Sequence, residues 1–231
     1  MQDKTRRQFL VSGGIASAAL IVPGVAGFAL QERHGGKPGE EVEVSPTEDL
    51  MREHGLLNRV LLVYEESERR LGGKGDLHPK VLTDAAGIIK NFIENYHEKL
   101  EEDYLFPRFE KAHKLTDLVA VLRQQHQAGR QVTSQIQQLA SAKSEADRQK
   151  LGAAIGAFIR MYRPHEARED TVLFPALHQI VSAHEFDALG DDFEKKEHEL
   201  FGKEGFEGMV DKVAGLEKQL GIYDLAKFTP K

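Results

Sequence analysis

Eleven residues recur in this chain with the same chemistry in the same order. His97-Glu98-Lys99-Leu100-Glu101-Glu102-Asp103-Tyr104-Leu105-Phe106-Pro107 matches His165-Glu166-Ala167-Arg168-Glu169-Asp170-Thr171-Val172-Leu173-Phe174-Pro175, and both read H-E-x-x-E-acid-x-x-L-F-P. A shorter correspondence precedes each: Leu50-Met51-Arg52-Glu53-His54 pairs with Leu122-Arg123-Gln124-Gln125-His126. One unit is therefore used twice. Read as a helical hairpin, that unit cannot bury its apolar stripe alone. Two of them close into a pseudo-symmetric, up-down-up-down four-helix bundle, an all-α fold.

The apolar residues recur at the three- and four-residue spacing of helices. Ser45-Pro46-Thr47-Glu48 supplies a capping serine, a proline at the first helical position and a glutamate three residues after the cap. The first predicted helix runs from there to about Leu71, where Gly72, Gly73 and Gly75 end it, with Leu50, His54, Leu57 and Leu61 inward. The second, Pro79 to Leu105, turns Leu82, Ile89, Ile93, His97, Leu100 and Tyr104 inward. The third, Thr116 to Ala140, presents Val119, Leu122, His126, Gly129 and Ile136. The fourth, Glu145 to Leu173, presents Leu151, Ile155, Phe158, Tyr162, His165, Glu169 and Val172. Each helix thus places one histidine on its apolar stripe, and each Leu-Phe-Pro reads as packing and a helix stop. Further on, Ser182-Ala183-His184-Glu185 starts a capped helix with Phe186, Leu189, Phe193 and Leu200 on one face. A last amphipathic helix carries Phe206, Met209, Val210, Val213, Leu216 and Leu220 and ends at Gly221; its apolar face either covers the bundle or makes a homodimer.

Residues four apart on a helix share a face, so His97 with Glu101, and His165 with Glu169, each present an imidazole and a carboxylate together. Four imidazoles and two carboxylates meeting in an apolar bundle cost several kcal/mol, on the order of a broken buried pair, unless something compensates them. Divalent cations do so. The chain has no cysteine, which excludes disulfides, iron–sulfur clusters and thiolate zinc sites, so nitrogen and oxygen must hold any metal. Imidazole with carboxylate suits iron or manganese, and a carboxylate can bridge two ions. Glu98 and Glu166 point about 100° away from the histidines they follow and read as outer partners or solvent-facing groups. A formal charge of −6 leaves no basic stripe, which argues against nucleic acid as a partner.

Thr5-Arg6-Arg7-Gln8-Phe9-Leu10, followed by a mildly apolar stretch rich in glycine and alanine to about Leu30, resembles a twin-arginine export signal. The resemblance implies recognition by the twin-arginine export machinery, carriage in the folded state with cofactor inserted, and a periplasmic or cell-surface location in a bacterium. Gly24 with Ala26, or Gly27 with Ala29, offers a cleavage site; left uncleaved, the segment would anchor the chain to the membrane. The expected organisation is a signal over 1–30, a polar linker over 31–44, the bundle over 45–178 and a helical extension over 179–231.

From Ser45 to His178 the chain resembles the hemerythrin-like, or HHE cation-binding, family. The resemblance implies a four-helix bundle with two non-heme iron ions, with His54, His97, His126 and His165 as terminal ligands and Glu101 and Glu169 as bridging carboxylates. Respiratory members carry two histidines one turn apart on the third helix. Here the positions one turn either side of His126 are Leu122 and Arg130, so one ligand is missing. Tyr64, Tyr96, Tyr162 and His198 are candidates to replace it. The expected function is binding or sensing of dioxygen. The alternatives are an enzyme that removes peroxide or nitric oxide at the position left open, and iron storage or delivery, although ferritins carry Glu-x-x-His where this chain has His-x-x-x-Glu.

Overall fold

The computed structural model describes residues 8–9, 42–73 and 75–230. The chain divides into two units, Met1–Val44 and Ser45–Lys231. Of the first, only Gln8–Phe9 (β1) and Val42–Glu43 (β2) form described elements, paired antiparallel with Gln8 opposite Glu43 and Phe9 opposite Val42. The rest of the expected signal and linker lies outside the described residues. Among the described residues no helix is long and apolar enough to cross a membrane.

The second unit is helical. Helix α1, Pro46–Leu71, starts where predicted: the Ser45 hydroxyl accepts from the Glu48 amide at 3.3 Å, and Glu48 and Asp49 complement the helix dipole. Helix α2 is one rod over residues 79–111 that alternates between α and π winding: α over Pro79–Ile88, π over Ile89–His97, α over Glu98–Leu100, π over Glu101–Leu105 and α over Phe106–Lys111. Helix α3 spans Thr116–Leu139. Helix α4, residues 145–177, is α over Glu145–Arg168, π over Glu169–Leu173 and α over Phe174–Leu177, capped by Ser144. The four pack in a ring, α1 on α2, α2 on α3, α3 on α4 and α4 on α1. Their connections are short, as in an up-and-down bundle.

The sequence duplication reaches the backbone. In each repeat the π turn begins at the second glutamate, and the amides of Phe106 and Phe174 bond to the carbonyls of Glu101 and Glu169, five residues back. A proline follows each phenylalanine, and inside regular α-helix it would lack a donor and press its ring on the carbonyl four residues earlier. The wider turn moves the backbone register just ahead of it, so Leu-Phe-Pro does not stop the rods. The second helix continues to Lys111 and the fourth to Leu177. The extra residue also rotates the face presented to the core. Tyr104 and Val172, expected inward, are half-exposed and exposed, while Leu105 and Leu173 are fully buried in their place.

Two more helices follow. Helix α5, Ala183–Phe201, opens on a reciprocal capping box between Ser182 and Glu185. Helix α6, Gly205–Leu220, is closed by Gly221 at φ +71°. Both lie over α1 and α2, with Phe206, Met209, Val213, Leu216 and Leu220 buried, so the apolar face of the last helix covers the bundle. Arg59 clamps it with a two-pronged pair to Glu217 at 3.0 and 2.6 Å.

Candidate metal centre

All six inward side chains predicted from the sequence meet in the middle of the bundle, and all are buried. His54 comes from α1, His97 and Glu101 from α2, His126 from α3, and His165 and Glu169 from α4. The His97 and His54 Nε2 atoms stand 3.0 Å apart. The His126 and His165 rings are 5.0 Å apart. Glu169 Oε2 lies 3.4 Å from His54 Nε2 and 3.1 Å from His165 Nε2, and Glu101 Oε2 lies 3.9 Å from His97 Nε2 and 3.4 Å from His126 Nε2. Each glutamate therefore reaches one histidine of each pair.

The outward nitrogens are all engaged. Nδ1 of His54 donates to Asp170 at 2.7 Å, that of His97 to Glu53 at 2.6 Å, that of His126 to Glu102 at 3.1 Å and that of His165 to Gln125 at 2.9 Å. A proton held on Nδ1 leaves a lone pair on Nε2, so this outer ring sets the tautomer that a cation requires. Burial pushes His126 down to about 4, which keeps it neutral. Burial acts the same way on His54, but Asp170 and Glu169 outweigh it and raise that ring to about 10.

The two carboxylates carry the strongest conflict. Burial, then the Glu169 charge, pushes Glu101 well above the usual carboxylate range. Glu169 is buried too, yet His165 and His54 hold it well below that range. Both oxygens of each, and Nε2 of His126, lack a hydrogen-bond partner. Unsatisfied buried groups of this kind cost about 1–3 kcal/mol each. Among these six side chains two groups of donor atoms lie close enough to hold an ion: Glu101, His126, His165 and Glu169, and His54, His97 and Glu101. They share Glu101. The orphaned oxygens, the inward-facing imidazole nitrogens and the oxygen and nitrogen donor set fit a divalent cation of the iron or manganese type.

The sequence reading missed several residues around this centre. Phe174 stacks on the His54 ring and Phe106 on the His126 ring, each with centroids 5.5 Å apart. The Leu-Phe-Pro phenylalanines thus wall the site, and their identical place in both repeats was the available signal. Glu98 and Glu166 are both buried rather than solvent-facing, and burial pushes each up to about 8. Glu98 accepts from the Tyr162 hydroxyl at 2.7 Å and pairs with Arg130 at 2.7 Å, while Glu166 accepts from Asn58. Gly129 makes room for that tyrosine: a Cβ there would stand 2.0 Å from the Tyr162 hydroxyl. Overpacking of this sort costs about 1–3 kcal/mol.

Three of the candidates for a replacement ligand are engaged elsewhere or exposed: the Tyr162 hydroxyl is committed to Glu98, the Tyr96 hydroxyl contacts Glu197 at 3.5 Å and His198 is exposed. The Tyr64 hydroxyl is buried without a hydrogen-bond partner. One turn after His126 stands Arg130, its guanidinium 2.7 Å from Glu98 and 2.8 Å from Glu102.

Residues 45–177 match the family model of the hemerythrin HHE cation binding domain. Uncharacterized proteins of Mycobacterium bovis and Mycobacterium tuberculosis are each 51% identical to this chain over 196 residues, covering 84% of it and 77% of their own length. No solved structure matches the chain significantly.

Proposed function

Because this chain belongs to the hemerythrin HHE cation-binding family, we propose that it holds two non-heme irons among its six inward ligands and binds or senses dioxygen there. The observation that carries this reading is the double reach of the carboxylates, since Oε2 of Glu101 and of Glu169 each face one histidine of both pairs. Bound iron would supply the reversible redox chemistry on which dioxygen binding depends. The chain supplies everything else. Asp170, Glu53, Glu102 and Gln125 turn four lone pairs inward. Phe106 and Phe174, buried and stacked on the His126 and His54 rings, keep bulk water from the centre. Arg130 takes the place of a fifth histidine, so the ligand set is one short and leaves room for a diatomic ligand or peroxide.

Titrating the reduced protein with oxygen under anaerobic control, followed by absorption, tests this. One oxygen per chain should bind and leave again under argon; no spectral response would reject the reading. Arg130 in place of a fifth histidine also favours a second reading, turnover of peroxide or nitric oxide. Sustained consumption of hydrogen peroxide by catalytic amounts of protein would select it.

The paired Arg6 and Arg7 ahead of Phe9 and Leu10 support export by the twin-arginine route to the periplasm or cell surface. Arg6→Lys with Arg7→Lys should block export and leave folded, iron-loaded protein in the cytoplasm, because lysine lacks the planar guanidinium fork. Unchanged export of the lysine pair, measured by cell fractionation, would reject that route.

A further inference from the structure

The two hairpins agree at the six inward ligands, and two of their differences just outside them change the charge there. Before its histidine, α1 carries Glu53, whose carboxylate accepts from Nδ1 of His97 at 2.6 Å. The matching residue on α3 is Gln125, whose amide oxygen accepts from Nδ1 of His165 at 2.9 Å. One turn after its histidine, α1 carries the uncharged Asn58, which bonds to the His54 carbonyl at 3.0 Å and to Glu166. The matching residue on α3 is Arg130, whose Nη2 lies 2.8 Å from Oε1 of Glu102, the same oxygen that accepts from Nδ1 of His126.

These differences act in one direction. A carboxylate on the far nitrogen of an imidazole raises the basicity of the near nitrogen, and so strengthens its bond to a cation. An amide does so less. A carboxylate whose charge is shared with a guanidinium also does so less, and the guanidinium itself repels a cation nearby.

We propose that the two cation positions are unequal: the one at His54 and His97, backed by Asp170 and Glu53, fills first, and the one at His126 and His165, backed by an arginine-compensated Glu102 and by Gln125, fills last. The proposal rests on the two-cation reading above and assigns Gln125 and Arg130 as positioning residues that weaken the second position. Outer partners of this kind change metal affinity by about 10–100-fold, which sets the expected gap between the two steps.

The test is a calorimetric titration of metal-free protein with Zn²⁺, with the histidine ring nitrogens followed by ¹⁵N NMR. Two ions should bind in two steps, with His54 and His97 responding in the first. Gln125→Glu with Arg130→Asn, which copies the first hairpin onto the second, should merge the steps. Glu53→Gln should narrow the gap by weakening the first. Two ions in one unresolved step, or His126 and His165 responding first, overturns the inequality and leaves the two-cation reading standing. Uptake of a single ion overturns that reading and the proposal with it.

Discussion

Purified protein should carry two irons per chain, and His97→Ala or His165→Ala should lower that number to one or fewer. Each histidine presents Nε2 beside a carboxylate oxygen in a buried site, at 3.9 Å and 3.1 Å respectively. Loss of an outer partner already costs about 10–100-fold in affinity, and loss of a direct ligand should exceed it. Each substitution also removes a hydrogen bond at Nδ1, to Glu53 for His97 and to Gln125 for His165. His198→Ala should change nothing, since that side chain is exposed on α5. Iron counted by mass spectrometry decides the matter: full retention in both alanine variants would remove these histidines from the site.

The second large effect is on stability. At a metal concentration about 100 times the dissociation constant, binding adds about 2.7 kcal/mol to the folded state. A domain of this size gains roughly 2–4 °C per kcal/mol, so each ion bound should raise the melting temperature by roughly 5–10 °C. The metal-free form is weakened by the same groups that bind. Glu101 is buried against Glu169, and its oxygens lack hydrogen-bond partners. Glu101→Leu should therefore raise the melting temperature of metal-free protein, since replacing buried ionic groups by apolar ones is neutral or stabilising by about 1–4 kcal/mol. It should also remove most of the response to metal. Calorimetric scans with and without chelator test both statements, and identical melting temperatures for loaded and metal-free protein would mean that no cation compensates these carboxylates.

The bundle was legible because its signals are local and repeated. A capping serine before Pro46, glycines after Leu71 and an apolar stripe with one histidine per helix are readable one element at a time. The wrong assignments came where the helix leaves its regular period. Pro107 and Pro175 look like helix stops only if the turn before them has α winding, and a π turn has no signature in hydrophobic spacing. For the same reason Tyr104 and Val172 seemed inward when Leu105 and Leu173 are. For Glu98 and Glu166 the spacing left outer partner and solvent both open, because an angle of about 100° on one helix does not say what the next helix brings there. Arg130 and Asn58 brought partners. The place of Arg130 was visible as a missing histidine, but its pairing with Glu98 and Glu102 is a long-range contact that no single helix encodes.

The outer ring around the histidines has one more implication. Glu102, on the first hairpin, steadies His126 of the second, and Asp170, on the second, steadies His54 of the first, 116 positions away in the chain. Glu101 and Glu169 cross the same divide in opposite senses. Residue i of one half meets residue j of the other, while j meets i, which is the rule of a self-complementary two-fold interface. A chain half as long, folding as a homodimer, would already own each of these reciprocal contacts. With both halves in one polypeptide, Gln125 can differ from Glu53 and Arg130 from Asn58, a divergence that an exact two-fold axis forbids.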